Sequence, residues 1–146
     1  MNSISIFRSR RINVFTDGSI RPALGLSGLA AIVRDEKGQV LHWFSRRAGA
    51  MTCNEAEYAA VHLALESVRA LRGNPQEVHI FSDSLVVVQQ MSGLAVTRAP
   101  ALKQAQLRVR ELVAQFPQVQ FHHIPREKNR LADALANEVV DGKETG

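Results

Sequence analysis

The apolar positions of the chain change period several times, and each change marks an element. Arg11 to Phe15 alternates polar and apolar residues, the period of a half-buried strand, and Gly18-Ser19 is expected to break it, so that Asp17 closes the strand. Leu29 to Val33 is a short apolar run rich enough in β-branched residues for a second strand. Asp35-Glu36-Lys37-Gly38 reads as a turn, and Val40 to Ala48 as a third strand. The connections are too short for a crossover helix, which predicts an antiparallel meander. Thr52-Cys53-Asn54-Glu55 has the capping-box spacing, and the helix behind it is expected to reach about Arg72 and stop at Gly73-Asn74-Pro75.

After that helix the pattern alternates. Val78 to Phe81 is a fourth strand, and Ser82-Asp83-Ser84 opens a short helix that ends near Gly93. Ala99 to Phe116 is helical up to Pro117, Val119 to Ile124 is a fifth strand, and Leu131 to Val140 is the last helix behind the polar loop Pro125 to Asn129. The order βββαβααβα predicts an α/β domain, a mixed sheet with helices packed on it, over residues 11–141. Residues 1–10 form a basic lead-in, the blander reading beside an organelle-targeting one, and residues 142–146 a tail.

Composition narrows the class. In 146 residues, 45% are hydrophobic and 22% charged, which suits a globular domain with one core. No apolar run approaches the roughly 18 residues that a membrane span needs. The single Cys53 excludes an internal disulfide and a cysteine-rich zinc site and suits a reducing cytoplasm. The net charge of +4 is compatible with a polyanionic partner without demanding one.

Four acids stand out by position. Asp17 falls at the end of the first strand, Glu57 in the first turns of the first long helix, Asp83 directly after the fourth strand, and Asp133 near the start of the last helix. With strands one and four adjacent, Asp17 and Asp83 lie side by side at the carboxyl edge of the sheet, where ligand sites of α/β folds form. Converging carboxylates repel unless a cation sits among them, and Mg2+ is the expected cation because it prefers hard oxygen ligands. Two such ions can activate a water and stabilise the leaving oxygen in phosphodiester cleavage. Each acid has a plainer alternative: Asp83 as a helix N-cap, Asp133 as an acid favoured by a helix N-terminus. Glu55 is explained by the capping box, which leaves Glu57 for the site, and His122 and His123, successive in a strand, read as structural.

The segments Phe15-Thr16-Asp17-Gly18-Ser19, Thr52-Cys53-Asn54-Glu55-Ala56-Glu57-Tyr58, Phe81-Ser82-Asp83-Ser84 and Asn129-Arg130-Leu131-Ala132-Asp133-Ala134-Leu135-Ala136-Asn137, in this order, resemble type 1 ribonuclease H from Arg11 to about Val140. The resemblance implies a five-stranded mixed sheet with helices on both faces and an acidic quartet Asp17, Glu57, Asp83 and Asp133. It also implies hydrolysis of the RNA strand of RNA/DNA hybrids with two Mg2+ or Mn2+ ions, leaving 5′-phosphate and 3′-hydroxyl ends. It places Thr52 and Arg34 in a DNA-phosphate pocket and Asn54 at the minor groove of the hybrid. The first turn departs from the family pattern as Ile20-Arg21-Pro22-Ala23-Leu24-Gly25. Cys53 stands where asparagine is common, and Ser92 to Ala99 has no room for a basic protrusion. The catalytic-loop histidine is absent; Pro125-Arg126-Glu127-Lys128-Asn129 resembles the archaeal-like subset, in which an arginine, here Arg126, takes that place. A monomer without protein partners is expected. The alternatives are another metal nuclease on the same fold, such as a resolvase or polymerase-associated domain, and a non-catalytic nucleic-acid-binding module.

Overall fold

A computed structural model describes residues 11–71 and 75–142. The basic lead-in, the helix stop at Gly73-Asn74 and most of the tail lie outside the described residues. The strands are β1 (Arg11–Arg21), β2 (Leu26–Arg34), β3 (Val40–Gly49), β4 (Glu77–Ser82) and β5 (Val119–His123). The helices are α1 (Cys53–Ala70), α2 (Leu85–Met91), α3 (Pro100–Val113) and α4 (Arg130–Val140). Short 3-10 turns occupy Pro22–Leu24 and Arg126–Lys128. The sheet order is β3-β2-β1-β4-β5: β1 to β3 form the expected antiparallel meander, and β4 and β5 run parallel to β1.

One expectation is corrected here. β1 does not end at Asp17 but continues to Arg21. Its parallel ladder with β4 stops at Thr16–Ser82, whereas its antiparallel ladder with β2 runs on to Arg21–Leu26. The alternation fades after Phe15 because both faces of the strand are then covered, and Thr16 and Asp17 are both buried. The resulting extension projects Asp17 and Gly18 beyond β4.

Two glycines seat helices on opposite faces. A Cβ at Gly18 would lie 2.6 Å from the carbonyl carbon of Ala56 in α1. One at Gly28 would lie 2.8 Å from Val140 Cβ and would also overlap the Ala136 carbonyl, both in α4. Gly18 pairs with Leu29 and Ser19 with Gly28, so the two glycines point to opposite sides of the pleat. The main core lies on the α1 side, where Ile12, Val14, Val33, Val78 and Ile80 from the sheet meet Val61, Leu65 and Val68 of α1 and Val109 of α3. Each such side chain contributes roughly 1.5–3 kcal/mol by leaving water. Tyr58, fully buried, donates its hydroxyl to Gln90 Oε1 of α2.

α1 starts as its sequence predicts. The Thr52 amide donates to Glu55 Oε1 (2.9 Å) and the Glu55 amide to Thr52 Oγ1 (3.2 Å), a complete capping box. On the α4 side of the sheet, away from that helix, aromatic rings stack across the strands: Phe15 on Phe81 (4.8 Å), Phe81 on His122 (4.8 Å) and His122 on His79 (4.9 Å). His79 Nδ1 and His122 Nε2 stand 2.7 Å apart, so one proton serves both. Burial, and then the charge of Arg11, hold both imidazoles below their usual range. His122 is thus a packing residue, as its sequence position suggested.

Candidate active site

The end of the β1–β4 ladder leaves polar groups of β1 open, and the site is built where they are answered. The Gly18 amide donates to Glu57 Oε1 (2.6 Å) from α1. The Thr16 carbonyl accepts from Asn129 Nδ2 (2.8 Å), at the residue preceding α4. Side chains from α1 and from the residue preceding α4 therefore continue the ladder where β4 leaves it. Asn129 is 2% exposed and its Nδ2 also points at Asp83 Oδ2 (3.4 Å). Its Oδ1 is buried with no partner among the described residues.

Asp17, Glu57 and Asp83 bring carboxylate oxygens within 4.8 Å of one another. Asp17 is 6% exposed and Glu57 9%, so two of the three charges are largely cut off from water. Burial pushes the Asp17 carboxyl from 3.8 up to about 7, helped by the charge of Asp83 and by a hydrogen bond with Asp133 that favours the protonated form. Burial, then the charges of Asp17 and Asp83, push Glu57 from 4.5 up to about 9 against the opposing Gly18 amide. Asp133, in the first turn of α4, thereby joins the cluster through Asp17, outside the tight triad.

Three hard-oxygen donors this close, two of them pushed towards neutrality by burial and by neighbouring carboxylate charge, fit a divalent cation. The donor set contains no sulfur and no imidazole, which favours Mg2+ or Mn2+ over zinc.

The two glutamates at the start of α1 divide as expected: Glu55 closes the capping box and Glu57 faces the acids. Glu57→Gln should lower turnover by more than about a thousandfold, past the range for losing one electrostatic stabiliser. Glu55→Gln should stay within about twofold, because Gln serves equally in the box. Steady-state cleavage rates of the two variants check this, and a reversal of the order would contradict the assignment.

The expected substrate contacts separate. Thr52 caps α1, exposed, and Asn54 is half-buried in its first turn. Arg34 is elsewhere: it pairs with Val40 at one end of β3, whereas Gly49, just before Thr52, pairs with Leu26 at the other. Nine residue steps of strand separate the ends, about 30 Å at the usual rise. The antiparallel register thus sets Arg34 and Thr52 towards opposite ends of β3. The Arg34 guanidinium instead donates to the Gly38 carbonyl (2.8 Å) and lies 5.3 Å over the Phe15 ring. Arg126 is exposed in the 3-10 turn before α4. Asn129 and Gly18 were not expected as site residues. Both lie in the quoted motifs, yet only the point where β4 stops pairing reveals what they do.

This sheet order with carboxylates at the β1–β4 edge defines the ribonuclease H-like class of fold. Residues 15–139 match the family described as reverse transcriptase-like. The chain is 32% identical to ribonuclease HI of Halobacterium salinarum over 134 residues, covering 92% of this chain and 66% of that protein. It is 30% identical to the bifunctional protein Rv2228c of Mycobacterium tuberculosis, of which it covers 36%. It thus spans about two thirds or less of these relatives. The crystal structure of the Halobacterium RNase H1 superposes with a TM-score of 0.84, covering 90% of this chain and 98% of that one. LC11-RNase H1 in complex with an RNA/DNA hybrid superposes with a TM-score of 0.80 at 35% identity, covering 90% and 97%. The chain belongs to the reverse transcriptase-like family, as a member of its type 1 ribonuclease H branch.

Proposed function

We propose that the protein is a divalent-cation-dependent endonuclease that hydrolyses the RNA strand of RNA/DNA hybrids, leaving 5′-phosphate and 3′-hydroxyl ends. The observation that carries this is the convergence of Asp17, Glu57 and Asp83 within 4.8 Å at the end of the β1–β4 ladder. A pure nucleic-acid binder gains nothing from buried negative charge in a surface meant for phosphates. The substrate class is supported by the hybrid bound to LC11-RNase H1.

Asp17, Glu57, Asp83 and Asp133 would hold two ions, Mg2+ or in its place Mn2+. When bound, such ions supply a water activated for attack and stabilisation of the leaving oxygen. The chain's own task is orientation. β1 and β4 fix Asp17 and the start of the Asp83 turn, the Gly18 amide aims Glu57, and Asn129 ties the loop before α4 to β1. Thr52 and Asn54, at the positive end of α1, would contact a strand backbone and the minor groove of the hybrid. Arg34 would contribute a phosphate contact remote from theirs. Residues 11–141 form the catalytic domain, acting as a monomer. Among the described residues no helix is long and apolar enough to cross a membrane, and the exposed free Cys53 suits the cytoplasm.

Arg126 has an electrostatic role. Arginine stays protonated at any working pH and cannot shuttle protons as a histidine would. Arg126→Ala should lower turnover roughly ten- to a thousandfold, the upper figure being the scale of losing one charge-stabilising donor, with partial recovery in Arg126→Lys. Unchanged turnover and hybrid affinity would assign Arg126 to the surface. The whole proposal is tested by offering end-labelled hybrid, duplex DNA, duplex RNA and a four-way junction in parallel. Mg2+-dependent cleavage confined to the RNA of the hybrid is expected, and preference for the junction would favour a resolvase.

A further inference from the structure

α4 carries Asp133 and is only 11 residues long. An isolated helix of that length is marginal, and no side chain caps its N-terminus. Asp133 meets Asp17 through a side-chain hydrogen bond, so the height of α4 against β1 decides where the fourth acid stands. At the N-terminal end the Asn129–Thr16 bond fixes that height. At the C-terminal end it is fixed by Arg21, the last residue of the β1 extension, whose guanidinium reaches α4.

The Arg21 guanidinium spends its donors in four directions. Nε donates to Asp141 Oδ1 (2.9 Å) and Nη2 to Asp141 Oδ2 (3.2 Å), a two-point contact with the residue that ends α4. Nη2 also donates to Asn137 Oδ1 (3.1 Å), and Nη1 to Ser19 Oγ (2.9 Å) and the Ile20 carbonyl (3.0 Å). The Ser19 hydroxyl in turn donates to Asn137 Oδ1 (2.6 Å). Ser19 lies two residues after Asp17, on the same side of β1, and Asn137 lies one helical turn after Asp133. The Ser19–Asn137 bond therefore repeats the Asp17–Asp133 contact one step along both elements.

We infer that Arg21 is a positioning residue: by clamping Asn137 and Asp141 of α4 to Ser19 of β1, it holds Asp133 at the height of Asp17 and so sets the affinity of the acidic site for divalent cations. An exposed lone ion pair contributes little, but a planar fork with both carboxylate oxygens and two neutral acceptors fixes orientation as well as distance. This inference rests on the cation-dependent reading of the site.

The test uses the full chain with Arg21→Ala, Arg21→Lys and Asp141→Asn, read in two ways without substrate. Calorimetric titration with Mn2+ alone should show affinity weakened on the order of tenfold in Arg21→Ala, the scale of losing a charge-assisted network contact. Arg21→Lys should recover part, since an ammonium cannot reproduce the fork. Amide exchange of α4 without metal should accelerate in the same order. With hybrid, the Mg2+ concentration for half-maximal turnover should rise by a similar factor while KM for hybrid stays near that of the parent. Asp141→Asn leaves Ser19 and Asn137 in place and keeps the test decisive should Arg21→Ala fail to fold. A purely structural residue would lower melting temperature without moving Mn2+ affinity at a temperature where the variant is folded. Unchanged Mn2+ affinity and unchanged α4 exchange in both Arg21→Ala and Asp141→Asn would overturn the inference. A parent that binds Mn2+ but leaves hybrid uncut would sink the proposed substrate instead and leave the clamp measurable.

Discussion

Asp17→Asn is expected to abolish turnover and at the same time to raise the melting temperature of the metal-free protein. Both effects come from one geometry. Asp17 is buried and meets the charge of Asp83, while Glu57 is buried against both. Losing the central oxygen donor should reduce cleavage by more than about a thousandfold, beyond the range for one electrostatic stabiliser. For stability the sign follows from linkage. The folded-state pKa values of Asp17 and Glu57, about 7 and about 9, lie above their ordinary 3.8 and 4.5. The folded state therefore holds more protons than the unfolded one, and stability is greatest below about pH 4 for these two groups, then is lost as pH rises towards 9. Asp17→Asn removes its own share of that loss and relieves Glu57. A gain of roughly 1–2 kcal/mol at pH 8 corresponds to several degrees in a domain of this size. Melting curves at about pH 3.5 and pH 8 in EDTA check this: the variant should lead the parent at pH 8 and converge with it below about pH 4, where both acids are protonated folded or unfolded. Saturating Mn2+ should stabilise the parent more than the variant.

Gly18→Ala is expected to damage fold and activity together. Its methyl would meet Ala56 carbonyl atoms at 2.6 Å, which are backbone and cannot swing aside. α1 must shift, at a cost of roughly 1–3 kcal/mol for overpacking. The shift also strains the 2.6 Å bond from the Gly18 amide that aims Glu57. A catalytic group misplaced by about 1 Å loses on the order of 10²-fold in rate. Gly93→Ala is the control: with φ 77° and open space around it, it incurs backbone strain of about 1–2 kcal/mol but touches no helix. Denaturant midpoints and turnover of the pair check the distinction. Loss of stability in both, with loss of activity in Gly18→Ala alone, is the expected outcome.

Much of this was legible in the sequence because local chemistry and tertiary structure agree. The capping box at Thr52 and Glu55 forms as spelled, and it separates Glu55 from Glu57. Short connections force the meander, and the placement of Asp83 right after a strand is read without coordinates. The extent of β1 was hidden, because alternation reports one covered face, whereas the successive residues Thr16 and Asp17 are both buried and residues 18–21 are half-buried. The antiparallel register sets Arg34 and Thr52 towards opposite ends of β3, a separation that no local pattern reports. Asn129 and Arg21 carry no local signal. Their partners are 113 and 120 residues away, and only the pairing of elements brings them together.

In the proposed reaction the acidic site directs water, rather than the neighbouring ribose hydroxyl, at the phosphodiester of the RNA strand. Mass spectrometry of products from a hybrid cleaved in heavy-oxygen water tests it most directly. One heavy oxygen is expected on each newly formed RNA 5′-phosphate, with an intact DNA strand and no product in EDTA or with Asp17→Asn. A 2′,3′-cyclic phosphate, a cut DNA strand, or undiminished cleavage in EDTA would contradict it.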